Sequence, residues 1–290
     1  MYCCFSPLVN FNSSEPKIRV TSNLLIDRPT AAEAKVVRTC HSFGSPELLG
    51  KWKFVIRCNY KKAADSWLSE STVHKTVKCL RLFKNDLVGC GQVYTFDRLR
   101  SVCLGESDFD TCNDVLYRPV GTYELQKEEL PAFLKLHNKF LNFDLEKHLR
   151  MGMAVERFDK TYEEGLRDIP IDIMIGLEAL YLADTQELAY KMAMRAAHLL
   201  GSTDEQHQSI FAAIKKAYDI RSKLVHGIWA FADPIKSKTK FENQLNTLAS
   251  ANDILRESIK KFIDLLSVYS HDQLLKDILD NNILSRELKL

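Results

Sequence analysis

From Lys127 onward, apolar positions recur at three- and four-residue intervals with few glycine or proline interruptions. This spacing predicts helices at about 127–142, 145–164, 168–183, 186–200, 203–226 and 241–269, and a short tail helix near 272–284. The links between them are short: RDIP, ADTQ and GSTDEQ. Short links make successive helices antiparallel neighbours, so this part is expected to be an up-and-down bundle. Helix ends are marked as well. Ser202 or Thr203, followed by Asp204 and Glu205, suits a helix start, and Gly201 and Gly227 suit helix ends. Before Lys127 the pattern is mixed. KWKFVIRCNY (51–60) and LVGCGQVYTF (87–96) are rich in β-branched and aromatic residues and read as strands. Residues 70–84 put Val73, Val77 and Leu80 at helical spacing, 105–122 has loop or linker composition, and the first 40 residues show no clean period. The expected fold is mainly α: a C-terminal up-and-down helical bundle (128–290) preceded by a smaller mixed α+β region (1–127).

Charge sharpens this division. The 290 residues are 46% hydrophobic and 27% charged, the composition of a globular chain, with a formal net charge of only +2. No strong overall field draws the chain to nucleic acid or anionic lipid. Residues 1–127 carry 18 Lys and Arg against 13 Asp and Glu, whereas residues 128–290 carry 22 against 25. All eight cysteines precede residue 113, without a C-x-x-C pair or a His spacing that completes a zinc site, so free thiols are expected. MYCCFSPLVNF lacks the basic start and long apolar core of a signal peptide, and no run reaches the ~18 apolar residues of a membrane span. A cytoplasmic protein without membrane contact is the expectation.

Two charges stand where the helical pattern calls for apolar residues. In the 203–226 helix, Ile210, Ile214, Ala217 and Leu224 form a stripe, and Arg221 falls on it. In IDIMIGLEALYL (171–182), apolar on nearly every side and hence central, Glu178 interrupts the run. A buried charge needs a partner. Glu178 is therefore expected to pair with Arg221 or with Arg195 of MAMRAAHLL. His226 closes the helix, where unpaired carbonyls favour a cation, and Ser222 and Tyr218 precede it on the same face. Arg221 and His226, five residues apart, point about 140° away from each other around a regular helix. Two copies of the motif meeting across a symmetric dimer could converge where one cannot.

Plainer roles fit several of these residues. Arg-x4-His at a helix end is also what a salt bridge plus a capping histidine looks like. Asp219 and Lys223 have the spacing of a surface ion pair, His198 that of a satisfied core histidine, and Trp229 and Phe231 suit loop anchors. No phosphate-cradling glycine loop, G-x-S-x-G elbow or paired metal-binding histidines occur. Neither cofactor nor metal is expected.

Taken together, DIPIDIMIGLEALYL (168–182), MAMRAAHLLG (192–201) and FAAIKKAYDIRSKLVHG (211–227) resemble the HEPN superfamily, specifically its Apea-like branch, over about residues 128–270. The resemblance implies an all-helical domain that dimerises so that two Arg-x4-6-His motifs line one cleft. Active members are metal-independent ribonucleases, common in bacterial antiviral defence and toxin systems, and other members only bind RNA or nucleotides. The matching residues are Arg221 and His226. By resemblance, His226 transfers protons as a ribose 2′-OH attacks the adjacent phosphate, and Arg221 stabilises the charge that develops. Glu178, Ser222, Tyr218 and Asp219 would support them. RNA and a second copy of the chain are the implied partners. Residues 1–127, with Lys51, Lys53, Arg57, Lys61 and Lys62, are the expected substrate-recognition or trigger-sensing part. The competing expectation is a catalytically silent helical interaction or RNA-binding module, with Arg221 paired permanently to Glu178 and His226 serving only as a cap.

Overall fold

The computed structural model describes residues 2–39, 52–61, 66–97, 102–107, 122–163, 165–183, 188–281 and 283. They fall into two compact units, one up to Asn142 and the other from Phe143 onward. The division thus lies after residue 142 rather than after 127. The chain is mainly helical, with its strands in the first unit.

That first unit is built on a sheet whose middle is the very start of the chain. Strands β1 (Tyr2–Val9), β3 (Lys17–Arg19), β4 (Leu24–Asp27), β5 (Phe54–Tyr60), β7 (Val93–Asp97) and β8 (Val102–Ser107) run in the order β3-β4-β5-β1-β7-β8. The two-residue β6 (Gly89–Cys90) also pairs with β1. β1 is antiparallel to both flanking strands, with Cys4 opposite Cys58 on one side and Thr95 on the other. Six consecutive β1 residues are buried. This explains the missing alternation in MYCCFSPLVNF, because a strand covered on both faces has no polar face to show. Pro7 adds to the disguise, since proline ordinarily argues against a central strand. Helix α1 (Ala31–Thr39) joins Cys3, Phe5, Val55 and Tyr94 in one core cluster through Val36 and Val37. Helix α2 (Ser66–Phe83) packs against β1 and β5. A separate parallel pair, β2 (Phe11–Ser13) with β9 (Tyr123–Leu125), stacks Phe11 on Tyr123.

The expected strand 51–60 corresponds to β5, and 87–96 divides into β6 and β7 around Gly91 and Gln92. The start of the expected loop, 105–107, is the end of strand β8 (Val102–Ser107), while 108–121 lies outside the described residues. Helix α3 (Leu130–Asn142), which the periodicity assigned to the helical half, belongs to the first unit. It packs on α2, with Phe133 edge-on to Phe83 and the buried His137 against Thr76. The Thr76 hydroxyl donates to the Thr72 carbonyl, so it accepts from His137 Nε2–H at 3.1 Å, which places a proton on Nε2.

Burial pushes His137 down to about 4. A histidine whose folded pKa lies below its unfolded value of ~6.5 stabilises the fold above that value, and its contribution is lost as pH falls towards the folded pKa. A loss of about 3 kcal/mol between pH 7 and pH 4 is expected from this residue alone. Urea unfolding of wild type and His137→Gln at both pH values measures it. Equal pH dependence in the two proteins would remove His137 as the cause.

Of the cysteines, Cys3, Cys4, Cys58, Cys79 and Cys90 are buried and in no disulfide, whereas Cys40 and Cys112 lie outside the described residues. The basic cluster expected to contact substrate is altered by Arg57, which is buried with both Glu33 carboxylate oxygens at 2.6 and 2.7 Å. It cannot serve a substrate. Lys51 and Lys62 lie outside the described residues.

The second unit is helical: α4 (Leu149–Lys160), α5 (Ile169–Tyr181), α6 (Leu188–Leu200), α7 (Asp204–Val225) and α8 (Lys238–Leu265), then a turn His271–Gln273 continuing into a π-helical stretch Leu274–Asp280. Thr203 caps α7, its hydroxyl accepting from the Gln206 N–H. α5 packs on α4, α6, α7 and α8, as its nearly all-round apolar surface requires. Gly176 lets α5 approach α8 closely, because a Cβ there would meet Leu255 Cδ2 at 2.8 Å. Among the described residues, no helix is long and apolar enough to cross a membrane.

Candidate functional site

Helices α5 and α7 bring the two misplaced charges together. Glu178, one turn before the end of α5, lies with Oε1 3.9 Å from an Arg221 terminal guanidinium nitrogen. Arg195, the other expected partner, is taken. It is 5% exposed and donates to both Asp280 carboxylate oxygens at 2.8 Å and to the Tyr181 carbonyl. The pairing expected of Glu178 is thus with Arg221, and Arg195 ties the π-helical tail to the bundle.

The apolar row of α7 runs through Ile214, Ala217 and Ile220, all buried. Ile210 and Leu224, expected on that row, are only half-buried, and Arg221 sits at its edge with a quarter of its side chain exposed. A guanidinium at an edge can reach both a buried carboxylate and a ligand arriving from solvent. Its contact with Glu178 is long for a salt bridge and is not a hydrogen bond. Both Glu178 Oε1 and Arg221 Nε are buried atoms without a hydrogen-bond partner. Burial pushes the Glu178 carboxyl above the usual range, and the nearby Arg221 charge opposes that only in part. Unpartnered buried polar atoms are uncommon, and each calls for a cause such as an ordered water, an ion or a catalytic role. Tyr218 lies one turn back, its ring centroid 5.8 Å from the Arg221 guanidinium carbon.

His226 closes α7 in a glycine-type cap. Its backbone N–H donates to the Ser222 carbonyl at 3.2 Å, Gly227 takes φ +75°, and the Ile228 N–H returns to the Lys223 carbonyl at 2.8 Å. Only glycine holds that φ without strain. The imidazole is exposed, away from the half-buried Arg221 side chain, as their separation on one helix requires. One chain therefore joins Glu178, Arg221 and Tyr218. Ser222 meets His226 through the backbone, and Asp219 stands exposed.

Exposed apolar residues flank the histidine along the chain. Val225, Ile228 and Trp229, at the helix end and just after it, are 52%, 58% and 55% exposed, and Ile235, further along the loop, is 94% exposed. Of the two aromatics expected to anchor that loop, Phe231 does so, buried against Phe241, while Trp229 projects outward beside Arg167.

Sequence reasoning missed a second feature of α7. A shallow, open depression of about 540 Å³ lies between α6 and α7, lined by Leu188, Ala189, Tyr190, Lys215 and Tyr218. Lys215 and Tyr218, three residues apart on α7, were its signal in the sequence, but the α6 wall is supplied by a different helix. Among the described residues, no group of three or more His, Cys, Asp or Glu is placed to hold a metal ion. Compared with protein-family models, curated proteins and solved structures, the chain matches none of them.

Proposed function

We propose that the chain is an endoribonuclease of the HEPN kind, cleaving RNA by acid-base chemistry in a cleft formed by two copies, as a defence or toxin effector. The observation that carries this is Arg221, half-buried with an unfilled Nε–H beside a loosely held carboxylate, five residues before an exposed histidine at the helix cap. The guanidinium fork matches phosphate oxygens, which take two parallel N–H bonds. In the reaction the ribose 2′-oxygen forms a bond to phosphorus as the bond from phosphorus to the 5′-oxygen breaks. One His226 takes the 2′-OH proton, its counterpart in the second copy protonates the leaving 5′-oxygen, and Arg221 stabilises the charge on the phosphoryl oxygens. The products are a 2′,3′-cyclic phosphate and a 5′-hydroxyl.

Val225, Ile228 and Trp229, exposed and next to His226 in the chain, support the two-copy cleft, since large apolar side chains exposed at one helix end suit an interaction surface. Replacing both Ile228 and Trp229 by Glu is expected to convert a dimer to a monomer in sedimentation velocity and to remove cleavage with it. A variant that stays dimeric and active would separate this patch from the site.

Glu178 favours a second reading. A carboxylate already beside Arg221 supplies its counter-charge, as a catalytically silent interaction module would need. Cleavage of single-stranded RNA in chelator by wild type, Arg221→Ala and His226→Ala decides between the two. The ribonuclease reading expects activity in wild type alone. No cleavage by any of the three, with the wild type dimeric, establishes the silent module.

A further inference from the structure

We propose that the depression between α6 and α7 seats one nucleotide of the RNA substrate, its base stacked on Tyr190 and Tyr218 and its phosphate held by Lys215. This rests on the ribonuclease reading and names how that site grips its substrate. Three independent features converge on it.

The first is the lining. The depression is open, as a seat for one nucleotide of a longer strand has to be, and its about 540 Å³ is lined by two phenol rings and one lysine. Tyr190 is 51% exposed, and Phe211 holds it edge-on with ring centroids 5.7 Å apart. It presents an oriented aromatic face to solvent. Aromatic faces beside a cation are what single-stranded nucleic acid uses: bases stack on the rings and phosphates follow the charge.

The second is alignment with the catalytic histidine. Phe211, Lys215, Tyr218, Ser222 and His226 succeed one another at steps of four, three, four and four, which keeps them within about 80° of arc on α7. Tyr218 and His226 are eight residues apart, roughly 12 Å along the helix axis. A short oligonucleotide lying along this face reaches both. Tyr218 also borders Arg221, so the wall of the depression and the phosphate-binding guanidinium adjoin.

Charge supplies the third. Residues 128–290 carry 22 Lys and Arg against 25 Asp and Glu, a balance that does not attract RNA. Residues 210–226 reverse it, with Lys215, Lys216, Arg221 and Lys223 against Asp219 alone. The one basic stretch of the bundle that carries the Arg-x4-His motif is the stretch that walls the depression.

The test measures binding apart from cleavage. A fluorescein-labelled, fully 2′-O-methylated oligouridine has no attacking hydroxyl, and its anisotropy is titrated with full-length wild type, Tyr190→Ala, Tyr190→Phe and Lys215→Ala. Cleavage of unmodified RNA by wild type and Arg221→Ala is followed in parallel. Tyr190→Ala and Lys215→Ala should each weaken binding on the order of tenfold, the loss of one base stack or one phosphate contact, with Tyr190→Phe close to wild type. Wild-type affinity in both alanine variants, while cleavage still depends on Arg221, overturns the nucleotide seat and leaves the ribonuclease standing. A wild type that cleaves nothing and binds no oligouridine overturns both. Circular dichroism of each variant confirms that a loss of binding reflects a missing contact in a folded chain.

Discussion

His226→Ala is expected to slow RNA cleavage by roughly 10²- to 10⁴-fold, the usual contribution of a positioned proton-transfer group. The fold itself should scarcely notice. The imidazole is exposed, and the cap is made by backbone groups: the N–H groups of His226, Gly227 and Ile228 returning to the last turn of α7. A basic side chain at a helix C-terminus contributes only about 0.3–1 kcal/mol. That disparity separates chemistry from capping. A histidine that only caps would show the small stability change and no effect on single-turnover cleavage. The uncleavable oligouridine completes the comparison, because a lost proton-transfer group leaves its binding intact. Arg221→Ala should also act on the chemical step, by roughly 10²- to 10³-fold, the cost of removing one donor to a developing anionic charge.

Glu33→Ala is expected to cost the first unit about 3–5 kcal/mol, the typical penalty for stranding one partner of a buried ion pair. Arg57 and Glu33 are 4% and 3% exposed and share two short hydrogen bonds. Glu33 also accepts from the Thr30 N–H and hydroxyl at 2.8 and 2.9 Å, so its loss opens the start of α1 as well. Asp27, 3.5 Å from the Arg57 guanidinium, is a poorer substitute. Against a typical total of about 5–15 kcal/mol for a native domain, this is a large fraction. Urea unfolding followed by far-ultraviolet circular dichroism measures it. The double variant Glu33→Met, Arg57→Met should recover much of the loss, since an apolar pair of similar volume leaves no stranded charge. A loss below about 1 kcal/mol for Glu33→Ala would mean that water or Asp27 already satisfies Arg57.

What could be read from residues alone followed physical visibility. Most helices of the second unit were legible because they keep one polar face, so the period of 3.6 survives in the sequence, while α5 was legible as a central helix by its nearly all-round apolar surface. Glu178 and Arg221 were legible as a pair for the opposite reason, being charges set against an apolar pattern. The row assigned to Arg221 was less accurate: the buried residue is Ile220, and Arg221 is at the edge. β1 was hidden because six successive buried residues and Pro7 erase strand alternation. Helix α3 has a clear period, yet nothing in a period says which unit it packs against. The burial of Arg57 was equally invisible, since its partner Glu33 comes from α1, 24 residues away. The proposed nucleotide seat draws Tyr190 from one helix and Lys215 and Tyr218 from another, so only α7's half of it exists as a sequence pattern.

The end chemistry of the RNA products tests the central assignment most directly. Cleavage by an imidazole working on the ribose 2′-OH predicts fragments carrying a 2′,3′-cyclic phosphate and a 5′-hydroxyl, identified by mass spectrometry after digestion in chelator, and none from an RNA fully methylated at the 2′-oxygens. Fragments with 3′-hydroxyl and 5′-phosphate ends, or unchanged cutting of the methylated RNA, would contradict the role given to His226 and Arg221.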